Sequence, residues 1–115
     1  MEIGGADMEQ KVSKKTLPPG ITEEKIAAWK KEYGNIFLYK SVDGKYCILR
    51  NPTLQILDAC RAASGGSSIK FDSFLVENTW VEGDPVFKTD DAYRMGLFDW
   101  LGGIIKKVEG ELEEL

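Results

Sequence analysis

The spacing of apolar residues changes along this chain, and each change predicts a different element. In "ITEEKIAAWKKEYG", Ile26, Trp29 and Tyr33 recur at steps of three and four, the spacing of one helix face. Thr22 is placed to cap that helix, Glu23 and Glu24 lie near the positive end of its dipole, and Gly34 follows the last turn. Ile21 and Ile26 stand where a hydrophobic staple would pair them. In "NIFLYKSVDGKYCILRN" the period drops to two. Two β-rich runs flank Asp43-Gly44, a strong hairpin signal. Ile36, Leu38 and Lys40 alternate with Phe37, Tyr39 and Ser41, and Tyr46, Ile48 and Arg50 alternate with Lys45, Cys47 and Leu49. Neither face is wholly polar, so both are expected to be partly covered. Two strands alone are not stable, so helices or a second copy must support them.

Asn51-Pro52 predicts a strand-to-helix corner, with Asn51 as N-cap and Pro52 at the first helical position. Leu54, Ile56, Leu57 and Cys60 give the next helix an apolar stripe that "SGGSS" ends at residues 64 to 68. That Gly-Ser stretch lacks the Lys-Ser/Thr ending of a phosphate loop and reads as a connection. Over residues 69 to 81, Phe71, Phe74, Leu75 and Asn78 fit a helix and shorter pieces fit a strand; the helix is the favoured reading. Gly83, Asp84 and Pro85 break the pattern, and Thr89 or Asp90 can cap the last helix. From there Leu97, Leu101, Ile104, Ile105, Val108, Leu112 and Leu115 keep one helical phase across Gly102-Gly103. This predicts a single long helix to the end, with close approach of another backbone as a reason for the two glycines. Glu109, Glu111, Glu113 and Glu114 at the negative dipole end should loosen its last turns.

The expected architecture is therefore α+β: a β-hairpin packed with about four helices, in the order α-β-β-α-α-α. Residues 1 to 20 are polar, end in "LPPG", and read as a disordered N-terminal arm before a single domain over 21–115. At 115 residues, 43% of them hydrophobic and 30% charged, the chain suits one core. No apolar run approaches the roughly 18 residues needed to span a bilayer, and the first residues lack a signal-peptide stretch. A soluble, intracellular protein that engages no membrane is the expectation.

Charge narrows the function classes. Residues 51 to 115 hold six basic and twelve acidic groups, a net of −6. This argues against a nucleic-acid surface, which needs basic groups to neutralise phosphates, and favours a basic or mixed protein partner. With no histidine, the commonest general base and zinc ligand are missing. Cys47 and Cys60 form no Cys-x-x-Cys motif and read as buried thiols. Glu77, Glu82, Asp84, Asp90 and Asp91 are the best remaining constellation, yet their spacing matches no calcium loop and suits a solvated, helix-capping turn. The reading is non-enzymatic, with no catalytic, metal or cofactor residues. Trp29 is assigned to the core. The candidate partner-binding residues are Trp80, an aromatic for which core and interface roles are both ordinary, and Leu97, Trp100, Leu101, Ile104, Ile105 and Val108, because "GLFDWLGGIIKKV" could lie as a helix in a groove. Packing in the chain's own core is the commoner use of such a segment.

The stretches "VDGKYCILRNPT", "FLVENTWVEGD" and "TDDAY", within residues 21 to 112, together resemble small bacteriophage proteins of the tail assembly chaperone type. The resemblance implies a protein of the host cytoplasm that keeps apolar segments of a tape-measure protein soluble until tail-tube subunits assemble. It also implies self-association and no cofactor. The alternative is a small acidic inhibitor or decoy that binds a host enzyme.

Overall fold

The computed structural model describes residues 17–115, so residues 1–16 of the expected arm lie outside the described residues. The chain falls into two compact units that meet in sequence between Glu32 and Tyr33. In the first, Ile21 N–H donates to the Pro18 carbonyl, closing a turn that includes Gly20 at φ 89°. Helix α1 follows over Glu23–Tyr33, with Lys25 N–H donating to Thr22 Oγ1 at 3.1 Å, the cap anticipated from sequence. Gly34, at φ 86°, ends it in the left-handed region that suits glycine.

The second unit is built on a three-stranded antiparallel sheet, and the protein is α+β. Strands β1 (Ile36–Lys40) and β2 (Tyr46–Arg50) form the expected hairpin, in register from Ile36 opposite Arg50 to Lys40 opposite Tyr46. Its turn is closed by Gly44 N–H to the Ser41 carbonyl and by Ser41 N–H to the Lys45 carbonyl, with Gly44 at φ 93°. That is the three-residue hairpin connection with glycine in the left-handed position.

Support for the hairpin comes from a strand absent from the expected order. Helix α2 (Leu54–Ser64) and helix α3 (Ser68–Thr79) lead into β3 (Trp80–Gly83), which pairs with β2 and makes it the central strand. Residues 69–81 are thus helix through Thr79 and strand thereafter. Gly83 is the residue that allows this. Its φ is 150°, and a Cβ there would fall 2.4 Å from Cys47 Cα and 2.7 Å from the Tyr46 carbonyl oxygen. No side chain fits so close to the neighbouring strand, so a glycine read in sequence as a breaker is instead a pairing residue.

Two boundaries differ from expectation for local reasons. The cap of α2 is Thr53, whose Oγ1 accepts from Ile56 N–H at 3.1 Å, so Asn51 and Pro52 lie ahead of the helix. A threonine one residue beyond the proline competes for the same role and its hydroxyl is better placed. The long terminal helix is also corrected. Helix α4 (Val86–Thr89) and helix α5 (Asp91–Phe98, capped by Asp90) are followed by a 3₁₀ turn over Leu101–Ile104, and residues 106–115 have no regular structure. A Cβ on Gly102 or Gly103 would meet nothing within 4 Å, so no neighbouring backbone explains them. Each glycine costs a helix about 1 kcal/mol relative to alanine. Beyond Ile105 no core contact offsets that cost.

One cluster organises the unit. Cys47 and Leu49 from the sheet pack with Cys60, Leu75, Val76, Phe87, Leu97, Leu101 and Ile104 from the helical segments. Phe37 and Tyr39, opposite Leu49 and Cys47 in register, lie on the same sheet face. Ile48, on the opposite face, is buried as well, so β2 has buried residues on both sides. Among the described residues no helix is long and apolar enough to cross a membrane.

Candidate functional site

Among the described residues strand β1 is an edge of the sheet, and the helical face beside it is the α5–3₁₀ junction. Between them runs a groove of about 190 Å³, walled by Phe37, Leu38 and Tyr39 from β1 and by Leu97, Trp100 and Ile104 from the junction. The sequence sets this geometry in two steps. Alternation in β1 sends Phe37 and Tyr39 toward the core and leaves Leu38 on the other face, where it is exposed. The tight turn after Phe98 then holds the Trp100 backbone by its N–H to the Leu97 carbonyl at 2.9 Å and its carbonyl to Gly103 N–H at 2.9 Å. The Trp100 side chain is left 68% exposed on a fixed backbone.

The residues expected to bind a partner divide here into three kinds. Leu97, Leu101 and Ile104 are buried in the core and keep almost no surface of their own, and Ile105 packs against that core partly buried. Trp80 sits on the other edge strand, half-buried, with the Lys88 ammonium 4.4 Å from its ring centroid. Trp100 and Val108 are exposed, Val108 at 97%. The structure brings Leu97, Trp100 and Ile104 to one groove, and places neither Trp80 nor Val108 among its lining residues. Gly103 also lines it, and Phe37, Leu38, Tyr39 and Leu49 complete it without having been expected to bind a partner. Their signal in sequence was a hairpin with apolar residues on both faces.

The acidic constellation does not converge. Asp84 Oδ1 accepts from Val86 N–H at 3.0 Å and Asp90 Oδ1 from Ala92 N–H at 2.9 Å, both as caps. Glu77 pairs with Lys88 at 3.6 Å, Asp91 with Arg94 at 3.4 Å, and Glu82 receives the Tyr46 hydroxyl at 3.4 Å. Among the described residues no three acidic or cysteine side chains are grouped to hold a metal ion.

Neither cysteine is poised for nucleophilic chemistry. Burial pushes the Cys47 thiol up to about 12, and burial raises the Cys60 thiol too. Both are free thiols in the core. Set beside protein-family models, curated proteins and solved structures, the chain matches none of them.

Proposed function

We propose that this protein works by binding another polypeptide, through the groove between β1 and the α5–3₁₀ junction. One observation carries the reading: a tryptophan held on a fixed backbone, mostly exposed, beside an apolar groove at the edge of a sheet. Large aromatics are the residues that anchor protein contacts. A strand at the side of a sheet is a surface along which an extended segment of another chain can lie. An apolar, extended stretch of partner chain suits both features. The resemblance to tail assembly chaperones supplies a biological setting, in which that stretch belongs to a tape-measure or tail-tube protein awaiting assembly. Nothing in this activity calls for a cofactor or bond-making step.

The test is co-purification of the full chain with a tape-measure protein from the same genome, followed by titration of the captured segment. Trp100→Ala is expected to weaken binding about thirtyfold, the loss of an anchoring residue worth about 2 kcal/mol, with the fold unchanged. Equal affinity of the variant and the parent would overturn the reading. Capture of a host enzyme in place of a tail protein would instead support the inhibitor reading, which the net charge of −6 over residues 51 to 115 favours.

A further inference from the structure

A second cavity adjoins the groove and shares Tyr39 with it as a wall. It measures about 370 Å³, at the small end of ligand-sized pockets, and opens between the hairpin turn and α5. Buried Phe87 belongs to its lining, flanked by Tyr39 and Tyr93, each with its ring centroid 5.7 Å from that of Phe87 and nearly perpendicular to it, at 85° and 89°. At the rim stands Asp43. The Ser41 hydroxyl donates to Oδ1 and the Tyr93 hydroxyl to Oδ2. These bonds hold the carboxylate below the usual carboxylate range, Ser41 contributing most and Tyr93 next, so it is ionised at neutral pH.

Both donors are neutral, so they fix the carboxylate in place without cancelling its charge. Among the described residues no lysine or arginine pairs with Asp43, and the cavity lining holds no basic group. Further carboxylates lie near: Asp90 and Asp84 act on Tyr93, and Asp99 acts on Tyr39. The Lys45 and Asp43 backbone N–H groups also favour the ionised carboxylate, so what Asp43 offers a guest is a held, uncancelled negative charge, to which a planar guanidinium can donate a charge-assisted hydrogen bond. Aromatic walls favour the same guest, because a cation with an apolar stem can pack its stem on the rings while its charge meets the carboxylate. A bare metal ion suits it less, since no three ligating side chains are grouped among the described residues.

We propose that this cavity binds an arginine side chain, supplied by the polypeptide that lies in the adjoining groove. The proposal rests on the groove reading for the source of the arginine, and it sharpens the partner to an apolar segment adjoined by a basic residue.

Three probes test it on the full chain: a valine-rich pentapeptide amide ending in arginine, the same peptide ending in citrulline, and acetyl-arginine amide alone. The arginine peptide should bind about tenfold or more tighter than the neutral citrulline peptide, the difference expected for a hydrogen bond to a charged group. Asp43→Asn should abolish that difference while leaving affinity for the citrulline peptide unchanged. Tyr93→Phe, which keeps the aromatic wall and removes one donor, should reduce it in part. NMR signals of Tyr93, Ala92 and Gly96 should move with acetyl-arginine amide in the parent and not in Asp43→Asn. Equal affinity for the two peptides would end the pocket proposal and leave the groove standing. Binding of acetyl-arginine amide without either peptide would support the pocket and end the groove reading. If none of the three probes perturbs the Tyr93 signals, the pocket proposal fails.

Discussion

Leu97, Leu101 and Ile104 share a helical phase with Val108, Leu112 and Leu115, and the two triplets meet opposite fates. The first is buried to within 5% of full coverage; the second is almost wholly exposed and has no regular structure around it. Spacing is therefore necessary for an amphipathic element and not sufficient. Isolated helices of this length are marginal in water, and an apolar stripe is stabilised only when another surface covers it. The sheet face carrying Cys47 and Leu49 covers the first triplet. Nothing among the described residues covers the second.

The comparison can be broken most forcefully with matched pairs of substitutions. Gly83→Ala places a methyl group against the β2 backbone at a φ few side chains adopt, and should cost about 3 kcal/mol or more from strain and overpacking. Gly110→Ala, where a Cβ meets nothing within 4 Å, should leave stability unchanged. Leu97→Ala empties a fully packed site and should cost about 2–5 kcal/mol, while Leu112→Ala should stay within about 0.5 kcal/mol. Urea unfolding of the four variants measures both pairs. Equal losses at Leu97 and Leu112 would show that the tail packs in solution.

What could be read from the sequence follows the same division. Caps with a strong local signature were legible: Thr22, Asp90, Gly34 and the Gly44 turn all act as their residue types predict. Features set by tertiary contact were not. Strand β3 is four residues long, and its pairing depends on a glycine whose role appears only beside Cys47. The groove was half legible. Leu97 and Ile104 stand out by their apolar phase and Trp100 as an aromatic residue in the same segment, yet only the placement of β1 distinguishes the exposed ring of Trp100 from the buried side chains beside it.

A smaller effect sharpens the packed side of the comparison. Cys47 has its thiol pushed up by burial, so the neutral form is the folded one. The sign follows: its contribution is complete below the ordinary thiol range, about 8.5, and falls as pH rises from there toward about 12, because only the unfolded chain ionises freely in between. Thiol labelling at about pH 8 should therefore proceed only through unfolding, and should quicken in Leu97→Ala but not in Leu112→Ala. Cys47→Ser should destabilise by about 1–3 kcal/mol, the cost of a buried hydroxyl without a partner. Cys60→Ser should do less, since Asn78 Nδ2 lies 4.0 Å from that sulfur and can donate to a hydroxyl. If the double variant still folds, partner binding should be intact. Lost binding in a folded double variant would bring the thiols into the function.

The smallest expected effect on stability is the most informative about the tail. Removing residues 106–115 takes away Val108, Leu112 and Leu115, none of which is covered, and should leave the unfolding midpoint and the far-ultraviolet helix signal where they were. A cut after Gly103 is a different experiment, because it removes Ile104 from the core and Ile105 from its edge. That chain should lose about 2–4 kcal/mol, comparable to other large-to-small core changes. The tail's place in binding can then be read with the fold held constant. If the shorter chain binds its partner as the full chain does, Trp100 and the β1 groove suffice. Weaker binding with an unchanged midpoint would mean that Val108, Leu112 and Leu115 find on a partner the cover their own chain does not supply, and that their helical spacing is realised only there.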